Sequence, residues 1–169
     1  VTIDQIAVPT ATVEDVDCFG NNNAHITVSA PVLATGAMYN IDSDDPQTSL
    51  IFNALEASTY STTINASNCM PTITDIVVNA PNPLALDAVI TSDPCTGFAD
   101  ILLTGTGGTP PYTFSFDGGT FVTENEYGRA AGIAYQIAIM DGNGCIITST
   151  ATVPDLTPKN ISVSEIVEA

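Results

Sequence analysis

Cys18, Cys69, Cys95 and Cys145 cut this chain into two copies of one pattern, and that repetition constrains the fold more than any other feature. The first pair lies 51 residues apart (18 to 69) and the second 50 (95 to 145). Equivalent cysteines of the two copies are separated by 77 (18 to 95) and 76 (69 to 145) residues. Other segments repeat with them. Asp17-Cys18-Phe19-Gly20 matches Pro94-Cys95-Thr96-Gly97, and 24–28 matches 99–103. Met38 to Asp42 matches Pro111 to Asp117 with a small offset, and Tyr60 to Cys69 matches Tyr135 to Cys145. Ile3 to Ile6, Leu86 to Val89 and Val163 to Ile166 share a further pattern, expected to be the first strand of three successive repeats. The expected organisation is repeat 1 at 1–82, repeat 2 at 83–158, and the first strand of a following repeat at 159–169. The parent protein is expected to continue.

Short β-branched or aromatic runs fill both copies: 101–104, 113–116, 135–140 and 146–153 in the second. Between them lie Gly105 to Pro111, Asp117-Gly118-Gly119 and Asp141-Gly142-Asn143-Gly144, rich in residues that tolerate tight turns. Leu50 to Ala57 is the one short helical candidate, and its counterpart Thr123 to Ala131, which contains Gly128, reads as a loop. Short strands at such regular spacing predict an all-β chain of two tandem immunoglobulin-like β-sandwich modules. Four cysteines allow three connectivities. Cys18 with Cys69 and Cys95 with Cys145 respects the duplication while keeping each module self-contained. Closing a loop of this length is worth about 4 kcal/mol in the chain-entropy model. Disulfides also place a chain outside the cytosol, and four buried free thiols are the competing reading.

Charge narrows the partners. Nineteen acidic residues face only two basic ones, Arg129 and Lys159, for a net charge of −17. Nucleic-acid binding needs clustered Lys and Arg and is excluded; adsorption to anionic lipid fails for the same reason. No run approaches the ~18 apolar residues of a membrane span, so membrane insertion is not expected. A 44% hydrophobic content with only 12% charged residues excludes intrinsic disorder. Residues 1–10 lack the basic and apolar regions of a signal peptide, so any export signal is expected outside this segment.

The second copy reads Cys95-x-Gly97, Gly107-Gly108-Thr109-Pro110-Pro111-Tyr112, Asp117-Gly118-Gly119, Ala131-Gly132-x-x-Tyr135 and Asp141-x-Asn143-Gly144-Cys145. This combination, over about residues 84–158, resembles the SprB repeat of very large cell-surface adhesins of gliding Bacteroidetes. The first copy resembles it more distantly. It keeps the cysteines, Gly20, Tyr39 and Tyr60, but has Ala34-Thr35-Gly36-Ala37-Met38-Tyr39 in place of the Gly-Gly-Thr-Pro-Pro-Tyr run. The resemblance implies a secreted, surface-attached filament exported through the type IX system and displayed for adhesion or gliding motility. It implies no catalytic residues.

The chemistry of individual residues fits that picture. His25 is the only histidine and sits on an expected strand, away from any nucleophile or soft-ligand set. Asp42, Asp44 and Asp45 form the densest oxygen cluster and are a candidate Ca²⁺ site, with a polar hairpin turn as the competing reading. No other cofactor is expected. Asp141 to Gly144 reads as a turn. Asn65-Ala66-Ser67 and Asn160-Ile161-Ser162 are glycosylation sequons that matter only in a eukaryotic secretory route. Tyr39, Tyr112, Phe114, Phe116 and Tyr135 are expected in the core. The chain is thus expected to be non-enzymatic: an adhesin stalk on a bacterial cell surface, contacting neighbouring repeats or self-associating, with a polysaccharide or protein as any ligand. The alternatives are a polymerising fibre subunit that donates its terminal strand (Ile161, Val163, Ile166) to a neighbour, and an accessory domain of a secreted carbohydrate-active enzyme.

Overall fold

The computed structural model describes residues 9–29, 37–42, 44–65, 71–93 and 97–155. The chain divides into two compact units, Val1–Pro83 and Leu84–Ala169. The described residues of each form six antiparallel strands and no helix.

The first unit contains β1 (Thr10–Glu14), β2 (Ala24–Ser29), β3 (Met38–Ile41), β4 (Ile51–Leu55), β5 (Ser58–Asn65) and β6 (Thr72–Val78). They form two sheets, ordered β1-β2-β4 and β3-β5-β6. Alternation decides which faces meet: Ala24, Ile26 and Val28 on β2 are buried, while His25 and Thr27 between them are not. With Tyr39, Ile41, Phe52, Ile64, Ile76 and Val78 they make one core.

The second unit repeats this plan with β7 (Ala85–Asp93), β8 (Phe98–Thr106), β9 (Thr113–Phe116), β10 (Glu126–Ala130), β11 (Ala134–Met140) and β12 (Ile146–Thr152). Its sheets are β7-β8-β10 and β9-β11-β12, around a core of Ile101, Leu103, Phe114, Phe116, Ile137 and Ile139. In both units the first, second and fourth strands share one sheet and the third, fifth and sixth the other. This is the strand distribution of an immunoglobulin-like sandwich without its shortest edge strand.

Two sequence expectations are corrected. Leu50 to Ala57 is no helix: it carries β4, because Phe52 sits opposite Ile26 and turns into the core with period two. Its counterpart is likewise no loop, since β10 pairs along β8, with Tyr127 opposite Ile101 and Arg129 opposite Ala99. Ile3 to Ile6 and Val163 to Ile166 lie outside the described residues. Register nevertheless supplies the first-strand counterpart of Leu86 to Val89. Thr10 faces Ser29 and Asp87 faces Thr104, and the match of Ala24 with Ala99 makes Ser29 and Thr104 equivalent. Residues 9–12 therefore occupy the place of 86–89.

Two polar corners recur in both units. The Tyr60 hydroxyl donates to the Glu56 carbonyl (3.0 Å) and the Tyr135 hydroxyl to the Ala130 carbonyl (3.2 Å), each at the entry to the fifth strand, as in the tyrosine corner of immunoglobulin folds. Burial pushes the Tyr60 phenol above its ordinary pKa. Asp42 and Asp117 follow the third strand with φ of 44° and 49°. Asp42 Oδ1 accepts from Ser61 N at 2.7 Å, and Asp117 Oδ1 from Gln136 N at 3.1 Å. Asp tolerates the left-handed region better than most residues, and here its side chain also ties the strand end to the next strand.

One core position is mismatched. Thr62 is 1% exposed on β5, and its hydroxyl has no hydrogen-bond partner among the described residues. The matching position of β11 is Ile137, fully apolar and buried. An unsatisfied buried hydroxyl costs about 1–3 kcal/mol. Thr62→Val is therefore expected to stabilise the first unit by about 1 kcal/mol. Chemical denaturation checks this, and a lower unfolding midpoint for the variant would contradict it.

Candidate functional site

The densest polar construction among the described residues joins two loops of the second unit, 107–112 and 141–145. Asp141 is 4% exposed, yet both its carboxylate oxygens are used. Oδ2 accepts from Thr109 N at 2.8 Å, and Oδ1 accepts from Asn143 N and Cys145 N, each at 2.9 Å. The Oδ1 contact to the second residue onward is the side-chain turn that Asp favours. Around it, Gly142 N donates to Thr109 O (2.6 Å), Asn143 Nδ2 to Thr109 Oγ1 (3.2 Å) and Tyr112 OH to Gly107 O (2.5 Å). The Pro110–Pro111 peptide is cis.

The glycines here are demanded by space. A Cβ on Gly108 would lie 2.5 Å from Asp141 Oδ2, and one on Gly142 would lie 2.9 Å from the carbonyl oxygens of Thr109 and Pro110. Gly105 is pressed against Ile139 and the Tyr112 ring in the same way. The motif residues thus hold one another. The carboxylate spends three of its roughly four acceptor sites on backbone N–H groups of these loops.

The other sequence candidates sit as follows. Cys18 and Cys145 are each engaged in a disulfide, whereas Cys69 and Cys95 lie outside the described residues. Asp42 is committed to β5, Asp44 N bonds the Ile41 carbonyl at 2.9 Å, and Asp45 is exposed. Among the described residues no group of three His, Cys, Asp or Glu converges in a way that could hold a metal. Ile161, Val163 and Ile166 lie outside the described residues. His25 is half-buried on β2, its Nε2 3.5 Å from Glu14 Oε1. The Asn21 and then the Asn23 side chains hydrogen-bond Asp17 and hold its carboxyl below the usual range. That contribution is present above the ordinary Asp pKa and is lost as pH falls through the lowered one. A shallow cavity of about 240 Å³ lies over the outer face of β9, β11 and β12, where Ser115, Ala138 and Thr148 form a row of small residues walled by Phe121 and Ile146.

Sequence reasoning missed the reciprocal role of Asp141 and Thr109, although both stood in quoted motifs. It also missed Arg129, whose guanidinium lies 4.3 Å over the Phe116 ring, with Tyr127 and Tyr135 beside it.

Residues 10–31, which cover β1, the Cys18 loop and β2, match the family model described as the SprB repeat. Residues 10–31 are thus similar to the SprB repeat. The SprB match falls on the first unit, whereas the conspicuous motifs that suggested the family lie in the second. No curated protein matches the chain by sequence. Among solved structures, a C-terminal 282-residue fragment of intimin, crystallised with the intimin-binding domain of the translocated intimin receptor, is similar at 12% identity and a TM-score of 0.47. The similarity covers 89% of this chain and 64% of that fragment. No helix among the described residues is long and apolar enough to cross a membrane.

Proposed function

We propose that the chain is a non-catalytic, extracellular stalk segment of a large bacterial surface adhesin or filament, built as tandem SprB-type modules. The observation that carries this reading is how the motif residues are spent. Asp141, Thr109, Tyr112 and the intervening glycines satisfy one another's backbone. Tyr60 and Asp42 in one unit do the work of Tyr135 and Asp117 in the other. Residues repeated for architecture suit a spacer, whose task is to span distance while staying folded. The SprB-repeat match supports the surface setting, and oxidised cysteines suit an environment outside the cytosol. A net charge of −17 favours solubility of an exposed stalk.

Competition tests the reading. Purified chain added in excess to adhering cells should leave adhesion unchanged, and replacing this segment in its parent protein by an equal length of an unrelated immunoglobulin-type repeat should preserve adhesion. Inhibition by the free chain would instead make the segment a ligand-binding module.

A further inference from the structure

Edge strands present unpaired N–H and C=O groups, and proteins blunt them with bulges, inward charges or covering segments. Most edges among the described residues carry such a device. The pairing of β4 shifts register opposite Ala24 and Ile26, with Ala54 at φ 59°. The pairing of β6 shifts opposite Tyr60 and Thr62, with Asp75 at φ 57°. A bridge from Gln47 covers β3, and one from Val122 covers β9. β10 turns a charge inward, Arg129, over Phe116. β1 is short, and the chain leaves it to bond the end of β6: Val16 N donates to Asn79 O (3.1 Å) and Asn79 N to Asp15 Oδ1 (2.8 Å).

β7 differs. It runs nine residues in unbroken register with β8, from Ala85 opposite Thr106 to Asp93 opposite Phe98. Its core-side residues Leu86, Ala88 and Ile90 stay half-buried at the rim of the sandwich. On the outer face Val89 is 51% exposed and sits directly opposite Leu102, itself 39% exposed. β12 is also regular but shorter, and Thr148 and Thr150 take up much of its outer face.

We propose that β7 is an interaction edge that pairs antiparallel with β7 of a second copy about a two-fold axis at Val89. The strand is self-complementary in that register. Asp87 falls opposite Thr91, Ala88 opposite Ile90, and Val89 opposite its own copy. The half-buried core-side residues then cover one another, and the two Val89–Leu102 pairs join into one apolar strip. Centring on Asp87 sets that carboxylate against itself, centring on Ile90 sets Asp87 against Asp93, and centring on Ala88 opposes no like charges but sets Val89 against Asp87, which breaks the apolar strip. Like charges directly opposite destabilise a strand pair. Pairing through a single edge buries less than the ~1,000 Å² of a stable interface, so the contact is weak. It forms between two strongly acidic chains, so salt that screens their repulsion strengthens it. Lateral pairing of this kind would bundle stalks.

Sedimentation of the oxidised chain over a range of concentration and NaCl tests this. A reversible dimer that strengthens with salt is expected. Val89→Lys should weaken it about tenfold or more without lowering the melting temperature, since the side chain is exposed. Val77→Lys, at an equally exposed (51%) valine on β6, should leave association unchanged. Amide exchange at 87–91 should slow as concentration rises. A chain that stays monomeric throughout, equal effects of the two variants, or protection arising elsewhere would each overturn the proposal.

Discussion

Asp141→Ala is expected to unfold the second unit under conditions in which the wild-type chain stays folded. The substitution strips the acceptor from Thr109 N, Asn143 N and Cys145 N at once, in a place where the carboxylate is almost wholly shielded from water. A buried donor left without a partner costs about 1–3 kcal/mol, and hydrogen bonds to a charged group are the stronger kind. Water entering the gap recovers part of this, which leaves a loss of about 3–5 kcal/mol. Small domains hold only about 5–15 kcal/mol in total. Asp141→Asn, which keeps one acceptor oxygen, should fall between the two. Calorimetry or far-UV circular dichroism can follow the loss, and the absence of tryptophan leaves tyrosine as the fluorescence probe. A shift below about 1 kcal/mol would mean that the two loops are held by something other than this carboxylate.

Reduction of the disulfides is expected to have an effect of similar size, felt in both units. Cys18 opens the segment between β1 and β2, and Cys145 closes the turn that Asp141 organises, so each bond anchors a loop that strand pairing alone does not fix. The pairing proposed from the sequence, within each unit, would close loops of about 50 residues, worth about 4 kcal/mol each. Cys145→Ser should therefore lower the melting of the second unit while leaving the first in place, and Cys18→Ser should do the reverse. One transition that moves as a whole in both variants would contradict the independence of the units.

Much of this fold could be read from residues because turn chemistry and alternation are local signals. β9 coincides with the expected run 113–116, and the Asp117-Gly118-Gly119 turn closes with Gly119 N on Phe116 O at 3.0 Å. β4 escaped detection because Leu50 to Ala57 has good helix formers, and only its pairing with β2 makes it a strand. Asp42 stood out in the sequence because it heads an acidic cluster. Its bond to the Ser61 backbone was not legible there, since it depends on a positive φ and on a residue nineteen positions away in the next pairing strand. The tyrosine corners were legible as repeated aromatics, but the carbonyl that each hydroxyl meets is set by corner geometry. The SprB match at 10–31 was hardest to see, because that segment holds one glycine and one proline, Gly20 and Pro31, in place of the dense glycine and proline turns that make the second unit conspicuous.

Non-reducing peptide mapping tests the central claim, two self-contained modules in tandem, most directly. Digestion of the oxidised chain should release one peptide pair linking Cys18 to Cys69 and another linking Cys95 to Cys145. A Cys18–Cys95, Cys69–Cys145, Cys18–Cys145 or Cys69–Cys95 link would tie the two units together and contradict the account.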